Sequence, residues 1–422
     1  MKRRRFFHSL FSTGLGLPII TSVVQATKND TDMSVEHNKN NIYDVIVVGV
    51  GSMGAAACYY LSKSGAKVLG IEQFEISHNK GSHSGQSRII RKAYFEHPDY
   101  VPLLEQSYKN WLSIEKELSV RLMEPTGLVY FADSNHDLLQ EVRSSANEYG
   151  IDIQNFNAQK AMEKFPSFSI PTTYEAIFEP QAGFIAPEKT IQSMVKASKD
   201  KGAEIHTGEK VITWSSSKGK VSVITDQGQY EADKLILCAG VYTLALSEYL
   251  KPKLQVTQQL LSWVKPKNPF QFELGNFPCW VLANNEDPGV YYGFPILSND
   301  LYSGPQGLKI AHHARGTEIE PSSNLIFDAE QEKIKLKVFL EKFIPDGFEE
   351  FLTVQSCMYT YSPDDDFIID FLPNTDQSVI VACGFSGHGF KFVPVIGEIL
   401  SDLASKGKTD LPIDFLSLER LT

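Results

Sequence analysis

"NIYDVIVVGVGSMGAAACYYLSKSGAKVLGIEQF", residues 41–74, decides the fold. Tyr43–Val48 has the apolar density of a strand buried on both faces. Gly49, Gly51 and Gly54 follow at G-x-G-x-x-G spacing, then an alanine-rich helix and a second strand, Lys67–Ile71, that ends in Glu72. Gly49 permits a tight turn, Gly51 lets the backbone approach a pyrophosphate, and Gly54 lets helix and strand pack closely. The unpaired N–H groups at the helix start suit phosphate oxygens. Glu72 can accept from ribose hydroxyls and repels a 2′-phosphate. This context predicts an α/β fold with a Rossmann-like, mostly parallel sheet that binds a dinucleotide. The cradle suits NAD and FAD equally.

Two later segments read onto the same cradle. "QYEADKLILCAGVYT", residues 229–243, is a strand ending in a small-residue turn at Ala239-Gly240. Such a turn allows a second close approach to an extended cofactor, although any strand can end in glycine. "GSHSGQSRIIRKAYFEHPDYVPL", residues 81–103, joins a glycine- and serine-rich loop that includes Ser82 to two arginines, Arg88 and Arg91. The loop can lie against a flat ring while the guanidinium groups face an anion. Alone, the two arginines would read as surface residues opening a helix.

A chain of 422 residues is long enough for two domains and a sizeable core. Its net charge of −11 argues against a nucleic-acid partner, which needs a basic face, but leaves room for a local cationic pocket. The five cysteines, Cys58, Cys238, Cys279, Cys357 and Cys383, are few, odd in number and irregularly spaced. Free thiols are expected rather than a disulfide scaffold. His312-His313 has no third ligand at a suitable offset, and Asp364-Asp365-Asp366 follows Pro363 as a solvated turn, so no metal is expected.

The N-terminus differs from the rest. Residues 1–26 have a basic start, an uncharged apolar run and small residues before a cleavage site after Ala26, which is a signal-peptide layout. Arg3-Arg4-Arg5-Phe6-Phe7 fits the twin-arginine pattern. An uncleaved anchor is the alternative, and Gly14, Gly16 and Pro18 in a short run disfavour stable membrane insertion. Export to the periplasm or beyond is expected, with a cytoplasmic location if the signal is not used. Residues 27–41 read as a polar linker.

The arginine loop is followed in order by "YYGFP" (291–295), "GLKIAHH" (307–313), "CMYTYSPDDDFIID" (357–370) and "CGFSGHGFKF" (383–392). Together they resemble the monomeric sarcosine oxidase and N-methyltryptophan oxidase family, from about Tyr43 to the C-terminal region. The resemblance implies FAD, bonded from the sulfur of Cys357 to the 8α-methyl carbon. It implies that Lys309 activates oxygen, and that Arg91 and Lys391 clamp the substrate carboxylate. Arg88 would lie beside the ring, with Tyr292, His313 and Tyr359 near the substrate amine. Gly387, His388, Gly389 and Lys391 would form the segment packed on the isoalloxazine. Two features depart from the pattern. His83-Ser84 stands where two adjacent histidines are common, and the connection from Pro295 to Gly307 is longer, which is expected to border the pocket and admit a bulkier substrate.

The implied activity is oxidation of the C–N bond of N-methyl or cyclic secondary amino acids to an imine, with O₂ reduced to H₂O₂. Its partners would be a small amino acid and O₂, and a monomer is expected. A dehydrogenase of the same fold serving a quinone or protein acceptor, and an idle flavoprotein binding module, are the rival readings. The FAD domain is expected over residues 42–120, 172–250 and 352–422. The substrate domain, with an antiparallel sheet, is expected over 121–171 and 251–351.

Overall fold

In the computed structural model, residues 42–94, 96–321 and 329–421 are described. The expected signal segment and linker lie outside them. The strand Ile42–Val48 is buried almost continuously from Val45 onward because it has a partner on each side. It pairs in parallel with Val68–Glu72 and with Gln229–Leu237. Glu204–Thr207 extends this parallel set beyond the second strand, and Val379–Cys383 joins it beside Gln229–Leu237. Antiparallel pieces finish the sheet: Ile368–Phe371 beside Val379–Cys383, and Val211–Ser217 with Lys220–Thr225 beside the first half of Gln229–Leu237.

The helix Ser52–Lys63 covers one face of this sheet, and Val393–Lys406 packs across it. Small residues make that crossing close: a Cβ on Gly397 would sit 2.6 Å from the Cβ of Ala56. The C-terminal helix therefore presses the first helix onto the sheet and holds its N-terminus at the strand ends.

A second sheet of eight strands runs Glu350–Tyr361, Gln255–Lys265, Leu308–His313, Val290–Phe294, Cys279–Leu282, Leu128–Asp133, Tyr174–Glu179 and Gln154–Asn157. All its pairings are antiparallel except Cys279–Leu282 with Leu128–Asp133. The turn read at Pro288-Gly289 does lie between two antiparallel strands. Gly289 has φ +84°, and a Cβ there would meet His313 O at 2.2 Å. The domain boundary expected at residue 352 falls inside the strand Glu350–Tyr361, so Cys357 rides on this second sheet. The boundary expected at 172 falls just before Tyr174–Glu179, which also joins it.

A third sheet was not anticipated. Arg88–Ile90 and Met123–Glu124 both pair with Gly183–Ile185. Three residues is too short a strand to show a period in sequence, yet this one fixes Arg88 in register with Ile185. Among the described residues, no helix is long and apolar enough to cross a membrane.

Candidate functional site

A cleft of about 640 Å³ opens at the carboxyl ends of the parallel strands. Gly49, Gly51, Glu72, Ser82, Arg88, Ala239, Gly240, Gly387 and Gly389 all line it. Gly49, Gly387 and Gly389 are required there by space. Gly49 has φ +88°, and a Cβ on it would sit 2.6 Å from Cys238 O. A Cβ on Gly54 would lie 1.8 Å from Gly49 O, so Gly54 serves helix–strand contact rather than the cleft wall. The helix begins at Gly51 with no side-chain cap, leaving its first N–H groups for a ligand.

Glu72 is buried at the strand end and does a second job. Its Oε2 accepts from Val50 N at 2.9 Å and its Oε1 from Phe74 N at 3.0 Å, so it cinches the glycine turn while lining the cleft. His83, in the position pattern that departs from the resemblance, also lines the cleft. Its Nε2 is buried with no hydrogen-bond partner, and burial holds the imidazole down at about 3, hence neutral. The cavity, a turn at Gly49 that a Cβ would fill and an orphaned ring nitrogen fit FAD.

Lys309 projects from Leu308–His313 and is fully buried. A bare buried ammonium costs on the order of several kcal/mol. Here the Nζ donates to Gly85 O, to Ser87 O at 2.8 Å and to Ser87 Oγ at 3.2 Å, and lies 4.6 Å from the Phe294 ring centroid. Three acceptors match the three N–H of an ammonium. Burial, and next Arg88, still push Lys309 well below the usual lysine value, against support from Glu188. Arg88 is tied to the same loop, donating to Ser87 O at 2.9 Å and Ser82 O at 3.0 Å.

Cys357 is buried within electrostatic reach of both cations. Burial raises its thiol, while Arg88 and Lys309 pull it down. The other four buried thiols differ: burial pushes Cys58, Cys279 and Cys383 up to about 12, and Cys238 beyond that. A thiol flanked by two cations is the one best placed to react as thiolate.

Arg91 and Lys391 form a second cationic group. Both are buried. Lys391 Nζ donates to His388 O at 2.7 Å, and its backbone carbonyl accepts from Ser107 Oγ at 2.6 Å and Trp111 Nε1 at 3.0 Å. Burial and Arg91 bring the Lys391 ammonium down to about 7. Arg91 Nη2 holds both oxygens of Glu96, at 2.6 Å and 2.5 Å. Burial alone would raise Glu96; Arg91, backed by His388 and Lys391, overrides it and holds the carboxyl at about 2. An internal carboxylate thus occupies the clamp expected for a substrate carboxylate.

Tyr359 joins the two groups. It lines the cleft, its hydroxyl is 3.4 Å from His313 Nδ1, and Tyr292 lies within its electrostatic reach. Gly387, with φ +81°, lets the following loop lie on the Tyr359 ring, where a Cβ would come within 2.4 Å. His313 is held at about 4, chiefly by burial, and is neutral near pH 7. His388 is bonded through Nδ1 to Tyr94 OH and through Nε2 to Asp365 O at 3.2 Å, so it braces the clamp rather than lining the cleft. His312 turns away from His313 to stack on Tyr291 and meet Pro288 O. Arg420 and Arg315 pair with Asp364 and Asp365 in the acidic turn.

Besides Glu96, two carboxylates that hold the site were missed by sequence reasoning. Glu179 is fully buried and accepts from Lys92 N at 2.6 Å, Ala93 N at 3.3 Å and Tyr130 OH at 3.0 Å, fixing the chain just past Arg91. Glu188 accepts from Gly85 N at 2.7 Å and Gln86 N at 3.2 Å. Their partners lie between 49 and 103 residues away, so no local spacing gives them. The connection 296–306 does not line this cleft. It buries Tyr302, whose hydroxyl donates to Glu124 and whose carbonyl meets Gln86 Nε2, and so fastens the arginine loop from behind.

Residues 44–403 match the family model described as FAD dependent oxidoreductase. The chain is 36% identical to monomeric sarcosine oxidase of Bacillus sp. (strain NS-129), across 90% of this chain and 97% of that protein. It is 34% identical to N-methyl-L-tryptophan oxidase of Yersinia pestis (strain Pestoides F), across 90% and 99%. Among solved structures, NikD, an unusual amino acid oxidase essential for nikkomycin biosynthesis, superposes with a TM-score of 0.78. It is 23% identical over 89% of this chain and 97% of NikD.

Proposed function

The chain belongs to the FAD dependent oxidoreductase family, and on that premise we propose that it oxidises the C–N bond of secondary amino acids, with O₂ as the final acceptor. The observation that carries this reading is that two cationic groups, built on the buried Lys309 and the buried Arg91 and Lys391, both reach one tyrosine–histidine pair. Lys309 and Arg88 act on Cys357, Arg88 and Cys357 act on Tyr359, and Arg91 with Lys391 acts on His313, whose Nδ1 lies 3.4 Å from the Tyr359 hydroxyl. One group suits an electron acceptor and the other a carboxylate.

Gly49, Gly51, Glu72, Ala239 and Gly240 would hold the dinucleotide, and Ser82, Arg88 and Gly387 its ring end. Cys357 is the side chain suited to a covalent tether. When bound, FAD supplies the two-electron acceptor for the amine. Arg91 and Lys391 grip the substrate carboxylate once Glu96 yields it, turning a bimolecular encounter into a positioned one. Each charge-assisted contact is worth about 1.5–3 kcal/mol. The same cations favour the neutral amine over its ammonium, and a lone pair on nitrogen is what the oxidation needs. The amine gives up two electrons and two protons to become an imine, which water hydrolyses. Lys309 places an ammonium where charge develops as oxygen is reduced. A monomer secreted through the N-terminal segment completes the reading.

An anaerobic titration of the yellow protein with sarcosine, N-methyltryptophan, proline and pipecolate tests it. Bleaching of the flavin by at least one, and one peroxide per turnover once air is admitted, is the expected result. A flavin that no secondary amino acid bleaches would remove the enzyme reading, and reduction without peroxide would favour another acceptor. Acid precipitation in the same sample reads the tether, since colour that stays with the polypeptide requires a covalent bond.

A further inference from the structure

The loop Gly85–Ser87 stands between two opposite charges. On one side Glu188, in the first turn of the helix Pro187–Asp200, accepts from the backbone N–H of Gly85 and Gln86. On the other, the carbonyls of Gly85 and Ser87 and the Ser87 hydroxyl accept from Lys309 Nζ. Gly85 itself is bonded through both its groups, N–H to the carboxylate and C=O to the ammonium, so the charges polarise one peptide chain from its two ends. The backbone here is unusual. Gly85 has φ +111° and Gln86, which is not a glycine, has φ +70°. A left-handed non-glycine residue persists only where its surroundings hold it. Glu188 is placed to do so, and the helix N-terminus favours its negative charge.

We propose that Glu188 is a positioning residue for Lys309: it fixes the loop whose carbonyls seat the ammonium, and it supplies the balancing charge for that buried cation. The groups facing Lys309 are Arg88, which opposes its charge, and Glu188, Cys357 and Cys279, which support it. Arg88 lies on the same loop, so without the carboxylate two cations would confront each other across Ser87. The consequence is specific to the oxygen half-reaction. This rests on the assignment of Lys309 to oxygen reduction, but the coupling of the two residues can be read without it.

The test follows the flavin absorbance of the resting, oxidised holoprotein as pH is raised. A spectral step assigned to Lys309 by its loss in Lys309→Met is expected at least one pH unit lower in Glu188→Gln, and near its original position in Glu188→Asp. Stopped-flow should show Glu188→Gln slowing reoxidation at least tenfold more than flavin reduction. A step at unchanged pH in Glu188→Gln, or equal slowing of both half-reactions, overturns the proposal. If Glu188→Gln loads too little FAD to titrate, thermal melts of the two single variants and the double variant decide. A double variant no less stable than Glu188→Gln supports the coupling, and fully additive losses refute it. A shifted step in an enzyme that makes no peroxide would leave the coupling standing and remove only the oxidase reading.

Discussion

At the dinucleotide end of the site, position is set by backbone and volume: a Cβ on Gly54 would lie 1.8 Å from Gly49 O, and one on Gly49 would strike Cys238 O. At the amino-acid end, position is set by charge balance. Arg91 is held by Glu96, Lys391 by a carbonyl, and Lys309 by a loop that a distant carboxylate pins. The difference teaches how each end responds to change. A steric cradle tolerates almost no added atom and is indifferent to pH. A charge-balanced pocket keeps its fold through isosteric substitution but shifts its function with every proton.

The largest effect should come from the cradle. Gly54→Val places atoms inside the Gly49 carbonyl, and the helix that carries Gly54 cannot retreat because Val393–Lys406 packs against it while the strand before Gly49 is held in the sheet. Soluble protein carrying FAD, measured by absorbance after expression, is expected to vanish. Recovery of yellow, soluble protein would mean that the cradle is more plastic than its contacts imply.

Next comes Lys309→Met, which keeps the length and removes the charge. Losing a preorganised cation at a site of developing charge should slow reoxidation by roughly 10²–10³, in line with other such deletions. Flavin reduction, measured anaerobically in the same stopped-flow instrument, should change far less. Glu96→Gln should act in the opposite sense and more modestly. The internal occupant of the clamp would lose its charge, so a substrate carboxylate should bind about ten times more tightly, read as a fall in KM at constant kcat.

The smallest effect is on pH dependence. Lys391 sits near 7 when the clamp holds no substrate, well below the ordinary lysine value because it is buried beside Arg91. Below pH 7 it is charged and ready for a carboxylate. Above it, binding must first take up a proton. The Kd of a monocarboxylate that lacks an amine should therefore rise with pH above about 7, by no more than tenfold per unit. In Lys391→Met the slope should disappear.

The parallel sheet, the glycine turn and Glu72 were legible because a few local spacings encode them. Gly49, Gly51 and Gly54 follow a strand and open a helix, and the spacing alone dictates a close backbone approach. Lys309, Arg91, Lys391 and Cys357 were legible only through their resemblance to a family. As single residues they read as a surface lysine, two loop cations and a buried thiol. Glu179, Glu188 and Glu96 were not legible at all. Glu179 and Glu188 are ordinary acidic residues in their own segments, and their meaning comes from long-range partners that folding brings to them. Glu96 lies only five residues from Arg91, but nothing in the loop's sequence shows that the two side chains turn toward each other. The three-residue strand Arg88–Ile90 escaped for a related reason, since its partner lies some ninety residues on.

The most direct test of the account compares a secondary amino acid with its methyl ester in anaerobic mixing against the flavin. The ester keeps the amine and its C–H bond but offers no carboxylate to Arg91 and Lys391. The account predicts that the free acid bleaches the flavin and that the ester does so at least a hundredfold less efficiently. Equal bleaching by both would contradict a carboxylate grip as the basis of catalysis.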